Sequence, residues 1–497
     1  MYETHFGVPM SGAVLNAINT RLDARTVSVL LKHSGSKLVF VDPASLQLIR
    51  DALQLLPPGH LMTPRIILVE DPYEENNKEF PPPPPLADDD DSYTHHVLMT
   101  YDDLLEKKGD PEFSWVRPAS EWDPMVLNYT SGTTSAPKGV VQCHRGMFLM
   151  TVDRLTDWAV PPRPTYLWTL PMFHANGWSF PWGMAMVGGT NVCLRRVTAA
   201  AVYAAIARHG VTHLCGAPVV LNMLANASSS ETSIPAAGKK VRILTAGAPP
   251  PAAVLQRVEA VGFEVSHGYG LTETAGLVVS CVWKGEEWDR LPASERARLK
   301  ARQGVATACT AAIDVVDNET GRGVPRDGET MGEIVLRGGC VMLGYLHDDE
   351  ATHAAIRDDG WLYTGDVGVM HPDGYVEIRD RSKDVIISGG ENISSVEVES
   401  VLYGHPAVSE AAVVARPDEF WGEMPCAFVT LKDKDAATVT PADIISWSRD
   451  RMPRYMVPKT VVFRADLPKT STGKIQKYVL RKLANDMGPT CKGNTIE

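Results

Sequence analysis

The sequence lacks any uninterrupted apolar run near the roughly 20 residues that a membrane-spanning helix needs. Its first residues, Met1 to His5, have neither the basic nor the apolar part of a signal peptide. No basic cluster alternates with aromatic residues, and the formal net charge is -12. This composition argues against nucleic acid or an anionic membrane as the main partner, so we expect a globular protein without a transmembrane segment.

Cysteine pairs with metal-ligand or redox spacing are also missing. The eight cysteines contain no Cys-x-x-Cys pair, a pattern that favours reduced, mostly buried thiols over disulfides or a zinc site. With 497 residues, of which 44% are hydrophobic, the chain is too long for one core and predicts at least two packed domains.

The middle of the chain alternates between strand and helix patterns. We expect strands at 211–215, 241–245 and 263–266, with helices at 219–225 and 252–261. This βαβα order predicts a mainly parallel sheet covered by helices, with ligand sites at the carboxyl ends of its strands. The predicted loops Ala246–Pro249 and His267–Gly270 lie at such ends.

Two segments interrupt this pattern. A proline run followed by an aspartate run at 81–91 is typical of an exposed loop. A turn-rich passage at 371–374 precedes a charged segment, and we place a domain boundary there, giving domains 1–379 and 380–497. Strand-like runs at 411–415, 427–431 and 461–463, with helices near 442–449 and 476–484, make the second domain a small α+β unit.

A short loop at 131–139 concentrates hydroxyl groups, glycines and one lysine: Ser131, Gly132, Thr133, Thr134, Ser135, Lys138 and Gly139. Glycine lets backbone N–H groups approach an anion, and the hydroxyls and Lys138 add donors. This pattern suits phosphate binding, although a solvated loop would read similarly. A P-loop is excluded at Gly473-Lys474, because Lys474 is followed by Ile475 rather than by Ser or Thr.

Four further segments follow in order: Tyr269–Thr274, Tyr363–Asp366, Asp380–Asp384 and Pro468–Lys474. Together with the phosphate loop they resemble the motif series of the adenylate-forming superfamily, which contains acyl-CoA synthetases, luciferases and peptide-synthetase adenylation domains. The resemblance extends to about Lys482. It implies an α/β fold with a large N-terminal domain of layered sheets and a small mobile C-terminal lid. It also implies a small carboxylic acid, ATP, Mg²⁺ and CoA as ligands.

The resemblance assigns roles around the nucleotide. The phosphate loop would hold the β- and γ-phosphates, Thr272 the α-phosphate and Glu273 the Mg²⁺. The remaining nucleotide contacts would come from Asp366 and Arg381 on the ribose, and from Tyr269, Gly247, Ala248, Pro249, His267, Gly268 and Gly270 around the base and the pocket wall. Each has a plainer alternative: Glu273 as a helix cap, Asp366 as a turn residue, and Tyr269 as a core aromatic.

The C-terminal motifs would serve the two half-reactions. Lys474 would reach across to bridge carboxylate and phosphate oxygens, the alternative being a solvated surface lysine. Lys383 would be the hinge of the lid. Gly389 and Gly390 would let the pantetheine arm of CoA pass close to the backbone.

The acid is indicated by two other segments. His174 matches a position that gates the acyl pocket in the superfamily, although a core histidine is as ordinary a reading. Segments 173–178 and 302–305 resemble plant acyl-activating enzymes of the benzoate/cinnamate-CoA ligase-like group. A small aromatic acid such as benzoate or cinnamate is therefore expected first, and a short- or medium-chain fatty acid second.

The two ends of the chain shape the remaining expectations. Family members carry a further N-terminal segment, so a shortened, catalytically silent nucleotide-binding protein is the main alternative. A peptide-synthetase adenylation domain is disfavoured, since no carrier-like segment follows the lysine motif. The last residues, Asn494–Glu497, differ from a Ser-Lys-Leu-like address, which favours the cytoplasm, with the peroxisome as alternative.

Overall fold

The computed structural model describes residues 1–57, 64–70, 97–130, 137–227, 240–432, 438–470 and 473–490. The expected exposed insert at 81–91 and the phosphate-loop residues Ser131, Gly132, Thr133 and Thr134 lie outside these ranges. The described chain is mixed α/β, with four sheets in a large N-terminal domain and one in a smaller C-terminal domain. The predicted fold class is therefore confirmed.

Helices cover the sheets of both domains. Asp23 and Asp42 cap two of them by accepting a hydrogen bond from the backbone N–H of Thr26 and of Ser45, which satisfies otherwise free donors. The helices are α1 Thr4–Met10, α2 Ala24–Ser34, α3 Pro43–Gln54, α4 Tyr101–Lys108, α5 His144–Asp157, α6 Phe180–Met186, α7 Ala199–His209, α8 Pro218–Ala225, α9 Ala252–Ala260, α10 Glu286–Asp289, α11 Ala293–Ala301, α12 Asp349–Ala355, α13 Ser395–Tyr403, α14 Pro441–Arg449 and α15 Lys477–Asp486.

The strands follow the same chain order. They are β1 Leu15–Asn16, β2 Leu38–Val41, β3 Arg65–Leu68, β4 Val97–Thr100, β5 Pro124–Thr130, β6 Lys138–Cys143, β7 Thr165–Trp168, β8 Thr190–Cys193, β9 His213–Gly216, β10 Val241–Thr245, β11 Phe263–Leu271, β12 Gly276–Ser280, β13 Val305–Ala306, β14 Thr310–Val316, β15 Gly332–Gly338, β16 Gly344–Tyr345, β17 Leu362–Met370, β18 Val376–Arg381, β19 Ile386–Ser388, β20 Glu391–Ile393, β21 Val408–Asp418, β22 Gly422–Leu431 and β23 Thr460–Phe463.

The largest sheet has the order β13-β12-β11-β10-β9-β7-β8. Strands β7 to β11 pair in parallel, and β9 is buried along its whole length, as expected for a sheet covered on both faces. The prediction of a loop at His267–Gly270 is wrong. These residues continue β11, because an antiparallel partner, β12, takes over the hydrogen bonding beyond His267.

Three smaller sheets complete the N-terminal domain, with orders β2-β3-β4, β1-β5-β6-β16 and β14-β15-β17-β18. The last of these carries the chain towards the second domain. Its strand β18 runs to Arg381, slightly beyond residue 379, and the boundary itself stays a prediction.

The C-terminal domain packs α13, α14 and α15 around a five-stranded sheet, in which β20-β19-β22-β21 are in order and β23 pairs with β22. Its strands and helices contain the segments predicted for them from the sequence, except that the last helix begins at Lys477 rather than at residue 476. Among the described residues, none of the helices is long and apolar enough to cross a membrane.

Candidate functional site

A hydrogen-bonded triad links three of the predicted nucleotide ligands. The Tyr269 hydroxyl donates to Asp366 Oδ2 at 2.6 Å, and Arg381 Nε lies 2.6 Å from Asp366 Oδ1. Asp366 is only 2% exposed and lies within β17, so the turn alternative does not apply. Burial and the neighbouring carboxylate raise the pKa of Tyr269, which keeps its hydroxyl a donor at neutral pH.

Strand pairing brings this triad together. Asp366 and Arg381 face each other across β17 and β18, and Tyr269 comes from the last part of β11. Gly365, just before Asp366, has a φ of 70°, a conformation that favours glycine. The carboxylate is thus presented from a rigid strand pair rather than from a mobile loop.

Thr272 and Glu273 form a short 3-10 turn directly after β11. The Thr272 carbonyl accepts from Gln142 Nε2 at 3.1 Å, and the Glu273 carbonyl accepts from the Met342 N–H at 2.8 Å. The half-buried Glu273 carboxylate accepts from the Tyr345 hydroxyl at 2.9 Å. Both predicted residues are therefore held firmly in place by their neighbours.

The described residues include no group of three or more metal-ligating side chains. A single carboxylate such as Glu273 still fits Mg²⁺, because this cation is usually held by one or two carboxylates together with substrate phosphates.

Lys138 is the one predicted phosphate-loop ligand that the structure describes. It begins β6, and its ammonium lies 4.6 Å from the centroid of the Tyr345 ring. Tyr345 in turn donates to Glu273. Tyr345 therefore contacts both Lys138, the predicted phosphate ligand, and Glu273, the predicted metal ligand. The sequence analysis did not single out Tyr345.

Lys474 lies in a tight loop of the C-terminal domain. Thr470 shapes this loop: its N–H donates to the Lys474 carbonyl at 2.7 Å, and its hydroxyl accepts from the Lys474 N–H at 3.1 Å. Lys474 keeps an exposed surface, yet desolvation by the surrounding protein and the charge of Arg381 lower its pKa to about 8. Asp366 acts on this ammonium in the opposite direction, so charged groups of the large domain influence the lysine of the lid.

His174 is partly buried, and its N–H donates to the Pro171 carbonyl at 3.1 Å. Burial and the Lys474 ammonium lower the pKa of His174 to about 4, so its ring is neutral at physiological pH. A neutral imidazole beside the lysine is compatible with the wall of an acyl pocket. A core histidine would share this burial, so the gating role of His174 stays a prediction.

An unusual backbone follows His174. Residues Ala175–Ser179 all have positive φ values, between 35° and 71°, a left-handed turn that costs L-residues roughly 1–2 kcal/mol each. Asn128 Nδ2 donates to Asn176 Oδ1 at 2.5 Å, and both side chains are buried. Backbone strain of this kind persists only where surrounding contacts hold the residues in place, and it is concentrated at functional sites.

The remaining residues predicted to surround the base or to form the pocket wall lie in two kinds of position, an exposed loop and a buried strand. Gly247, Ala248 and Pro249 follow the carboxyl end of β10, and Gly247 is exposed with a φ of 90°. His267 is buried, with Nδ1 3.1 Å from the carbonyls of Lys300 and Arg302, and burial lowers its pKa to about 4. The structure therefore ties His267 to a neighbouring helix end.

Gly268 and Gly270 are explained by the sheet. A Cβ at Gly268 would lie 3.0 Å from the Val279 carbonyl oxygen, and one at Gly270 only 1.9 Å from that of Gly276. Close approach of β12 thus accounts for both glycines.

The predicted hinge follows the last strand of the large domain, and the predicted CoA segment lies in the lid sheet. Lys383 is exposed as a residue, whereas partial desolvation of its ammonium and the charge of Arg381 lower its pKa. Gly389 and Gly390 form the tip of the β19–β20 hairpin, with φ values of 59° and 89°. Both are exposed, and a Cβ at Gly389 would collide with the Trp421 ring.

Comparison with known proteins places this site in context. Residues 1–346 match the family described as AMP-binding enzyme, and residues 397–474 match the AMP-binding enzyme C-terminal domain. The chain is 62% identical over 493 residues to 2-methylpropanoate–CoA ligase CCL4 of Humulus lupulus, covering 99% of this chain and 85% of that protein.

Two further similarities cover both domains. Probable acyl-activating enzyme 5, peroxisomal, of Arabidopsis thaliana is 61% identical over 490 residues, covering 99% of this chain and 85% of that protein. The crystal structure of the anthranilate CoA ligase AuaEII in complex with anthranoyl-AMP superimposes with a TM-score of 0.80 at 26% identity, covering 97% of this chain and 85% of that chain.

Proposed function

The chain belongs to the AMP-binding enzyme family and is an acid–CoA ligase of the AMP-forming type, and within that class we propose that it activates a short branched aliphatic acid. The acid carboxylate attacks the α-phosphorus of ATP and pyrophosphate leaves. The CoA thiol then attacks the acyl carbonyl of the adenylate, and AMP leaves.

The Tyr269–Asp366–Arg381 triad, whose charged members also act on the Lys474 ammonium, is the observation that supports the first step. Attack of one anion on another needs cationic donors fixed where charge develops. Lys474 would bridge the carboxylate and the α-phosphate, with Thr272 and Lys138 as further phosphate donors. Asp366 would accept hydrogen bonds from the ribose hydroxyls once Tyr269 and Arg381 have fixed its orientation.

Glu273 would hold Mg²⁺ near the phosphates. When bound, the cation neutralises charge on the departing pyrophosphate. Tyr345 would orient the carboxylate for this by donating to one of its oxygens.

The second step would require the lid to rotate. Lys383 lies just after the last strand of the large domain, where a pivot would move the lid without disturbing the sheet. Rotation would withdraw Lys474 and bring Gly389 and Gly390 to the adenylate, where their lack of side chains would admit the pantetheine arm.

The preference for a short acid has two supports. The relative at 62% identity is named for 2-methylpropanoate. Trp168, Trp178 and Phe180, in and beside the left-handed turn, are each no more than 4% exposed, and we infer that these bulky rings would limit the length of the acyl chain. This order reverses the expectation from the sequence, in which benzoate or cinnamate comes first.

A series of acids tests the proposal. We expect kcat/KM for 2-methylpropanoate to exceed that for benzoate, cinnamate and octanoate by at least about tenfold, since one extra methylene in a closed pocket is worth about 10- to 200-fold. AMP and acyl-CoA would be quantified together. A higher kcat/KM for benzoate or octanoate would contradict the short-acid assignment.

The silent nucleotide-binding alternative has less support. A named CoA ligase aligns over 85% of its own length, and Thr272, Glu273, Asp366 and Lys474 are the residue types that the adenylation step would need. For location, we propose the peroxisome alongside the cytoplasm, because a relative 61% identical is named as peroxisomal. Imaging of an N-terminal fluorescent fusion against a peroxisomal marker would separate the two.

A further inference from the structure

A series of polar side-chain contacts joins the two domains beside the predicted hinge. Asp380 belongs by its backbone to β18, where it pairs with Val367 of β17 in the large domain. Its side chain points the other way. Asp380 Oδ2 accepts from both the N–H and the hydroxyl of Ser395, at 2.7 and 2.6 Å. Ser395 is the first residue of α13 in the lid.

The contact is reinforced by the preceding residue. Ser394 caps α13 by accepting from the Glu397 N–H at 3.1 Å, and its hydroxyl donates to the Arg379 carbonyl. Asp380, Ser394 and Ser395 are 3%, 5% and 0% exposed. Hydrogen bonds to a buried carboxylate are stronger than neutral ones, so the start of α13 is fastened to the last strand of the large domain.

The same series of polar contacts continues to the loop that carries Lys474. The Lys477 ammonium donates to the Ser395 hydroxyl oxygen and lies 2.7 Å from Glu399 Oε1. Glu399 also accepts from the Val413 N–H at 2.8 Å, which holds it against the lid sheet. Lys477 begins α15 immediately after the loop of Lys474. Fixing Lys477 therefore fixes the base of that loop.

We propose that Asp380, Ser395 and Lys477 form an interdomain clasp that positions Lys474 for adenylation and must open before thioester formation. Asp380 precedes the pivot at Lys383 and Ser395 follows it, so rotation of the lid pulls the two apart. The clasp thus favours the first half-reaction at the expense of the second. Its three members are positioning residues, and the inference rests on the two-step ligase function proposed above.

The two half-reactions of the full-length chain, measured separately, test the clasp. Single-turnover pyrophosphate release from ATP, Mg²⁺ and 2-methylpropanoate reports adenylation. Conversion of synthetic 2-methylpropanoyl-adenylate with CoA reports thioester formation. For Ser395→Ala we expect adenylation to fall about tenfold, in line with the loss of a hydrogen bond to a charged group. Thioester formation should be unchanged or faster.

A matched control and a second variant separate positioning from folding. Ser448 is also 0% exposed in the lid, but its hydroxyl donates at 2.8 Å to Ile444 of its own helix. Ser448→Ala should therefore leave the ratio of the two rates unchanged. Asp380→Asn keeps an acceptor for Ser395 but removes the charge, and it should give a smaller loss confined to adenylation even where Ser395→Ala does not fold.

The outcomes distinguish the clasp from the proposed function. A wild-type chain that performs both half-reactions, with Ser395→Ala slowing them equally or behaving like Ser448→Ala, overturns the clasp alone. A wild-type chain that adenylates no acid of the series overturns the ligase function and the clasp with it. Selective loss of adenylation in Ser395→Ala and Asp380→Asn supports the clasp.

Discussion

Replacing Lys474 with alanine tests the account of the first half-reaction in detail. Arg381 and Asp366 of the large domain both act on the Lys474 ammonium, and its pKa of about 8 leaves it mostly charged at neutral pH. Loss of one preorganised charge donor typically costs about 10²–10³-fold in rate, or about 2.7–4 kcal/mol. We expect Lys474→Ala to slow adenylation by that factor and to spare thioester formation from a supplied acyl-adenylate.

The assay is pyrophosphate release at saturating acid and ATP, with acyl-adenylate and CoA supplied in a parallel reaction. Lys482 gives a matched control, since it is an exposed lysine on the helix that follows the same loop. Lys482→Ala should retain the wild-type rate in both reactions. Adenylation by Lys474→Ala at the wild-type rate would refute the role given to this residue.

Three further predictions concern charge, hinge and sheet. The charged form of Lys474 is lost as pH rises through about 8, so kcat/KM for adenylation should fall up to tenfold per pH unit above that value; a flat profile to pH 10 would contradict it. Lys383→Pro should spare pyrophosphate release but impair acyl-CoA formation, whereas equal loss of both would argue against a pivot there. Gly270→Ala should lower the urea-derived free energy of unfolding by about 2 kcal/mol or more, because its Cβ would lie 1.9 Å from the Gly276 oxygen; Gly7→Ala, inside α1 with nothing within 4 Å, is the control and should leave stability unchanged or raise it by up to about 1 kcal/mol.

Local patterns predicted much of the central sheet. The strand at 241–245 is observed with the predicted bounds, and the helices at 219–225 and 252–261 differ by one residue at one end. The error at His267–Gly270 has a physical reason. Glycine-rich sequence resembles a loop, but here the glycines admit a close antiparallel strand.

The site was predicted as a set of residues but not as an arrangement. Motif order pointed to Asp366, Tyr269 and Lys474, whereas their mutual contacts depend on strand register and domain packing across long sequence separations. The Asn128–Asn176 bond is of the same kind. The left-handed turn after His174 had no sequence signal, since only one of its five residues is glycine.

Isotope transfer tests the central claim most directly. The chain would be incubated with ATP, Mg²⁺, CoA and 2-methylpropanoate labelled with ¹⁸O in the carboxylate, and the products analysed by mass spectrometry. An acyl-adenylate route predicts one ¹⁸O atom in AMP and none in pyrophosphate, with acyl-CoA formed in equal amount. Label in orthophosphate, or unlabelled AMP alongside acyl-CoA, would contradict activation through an adenylate.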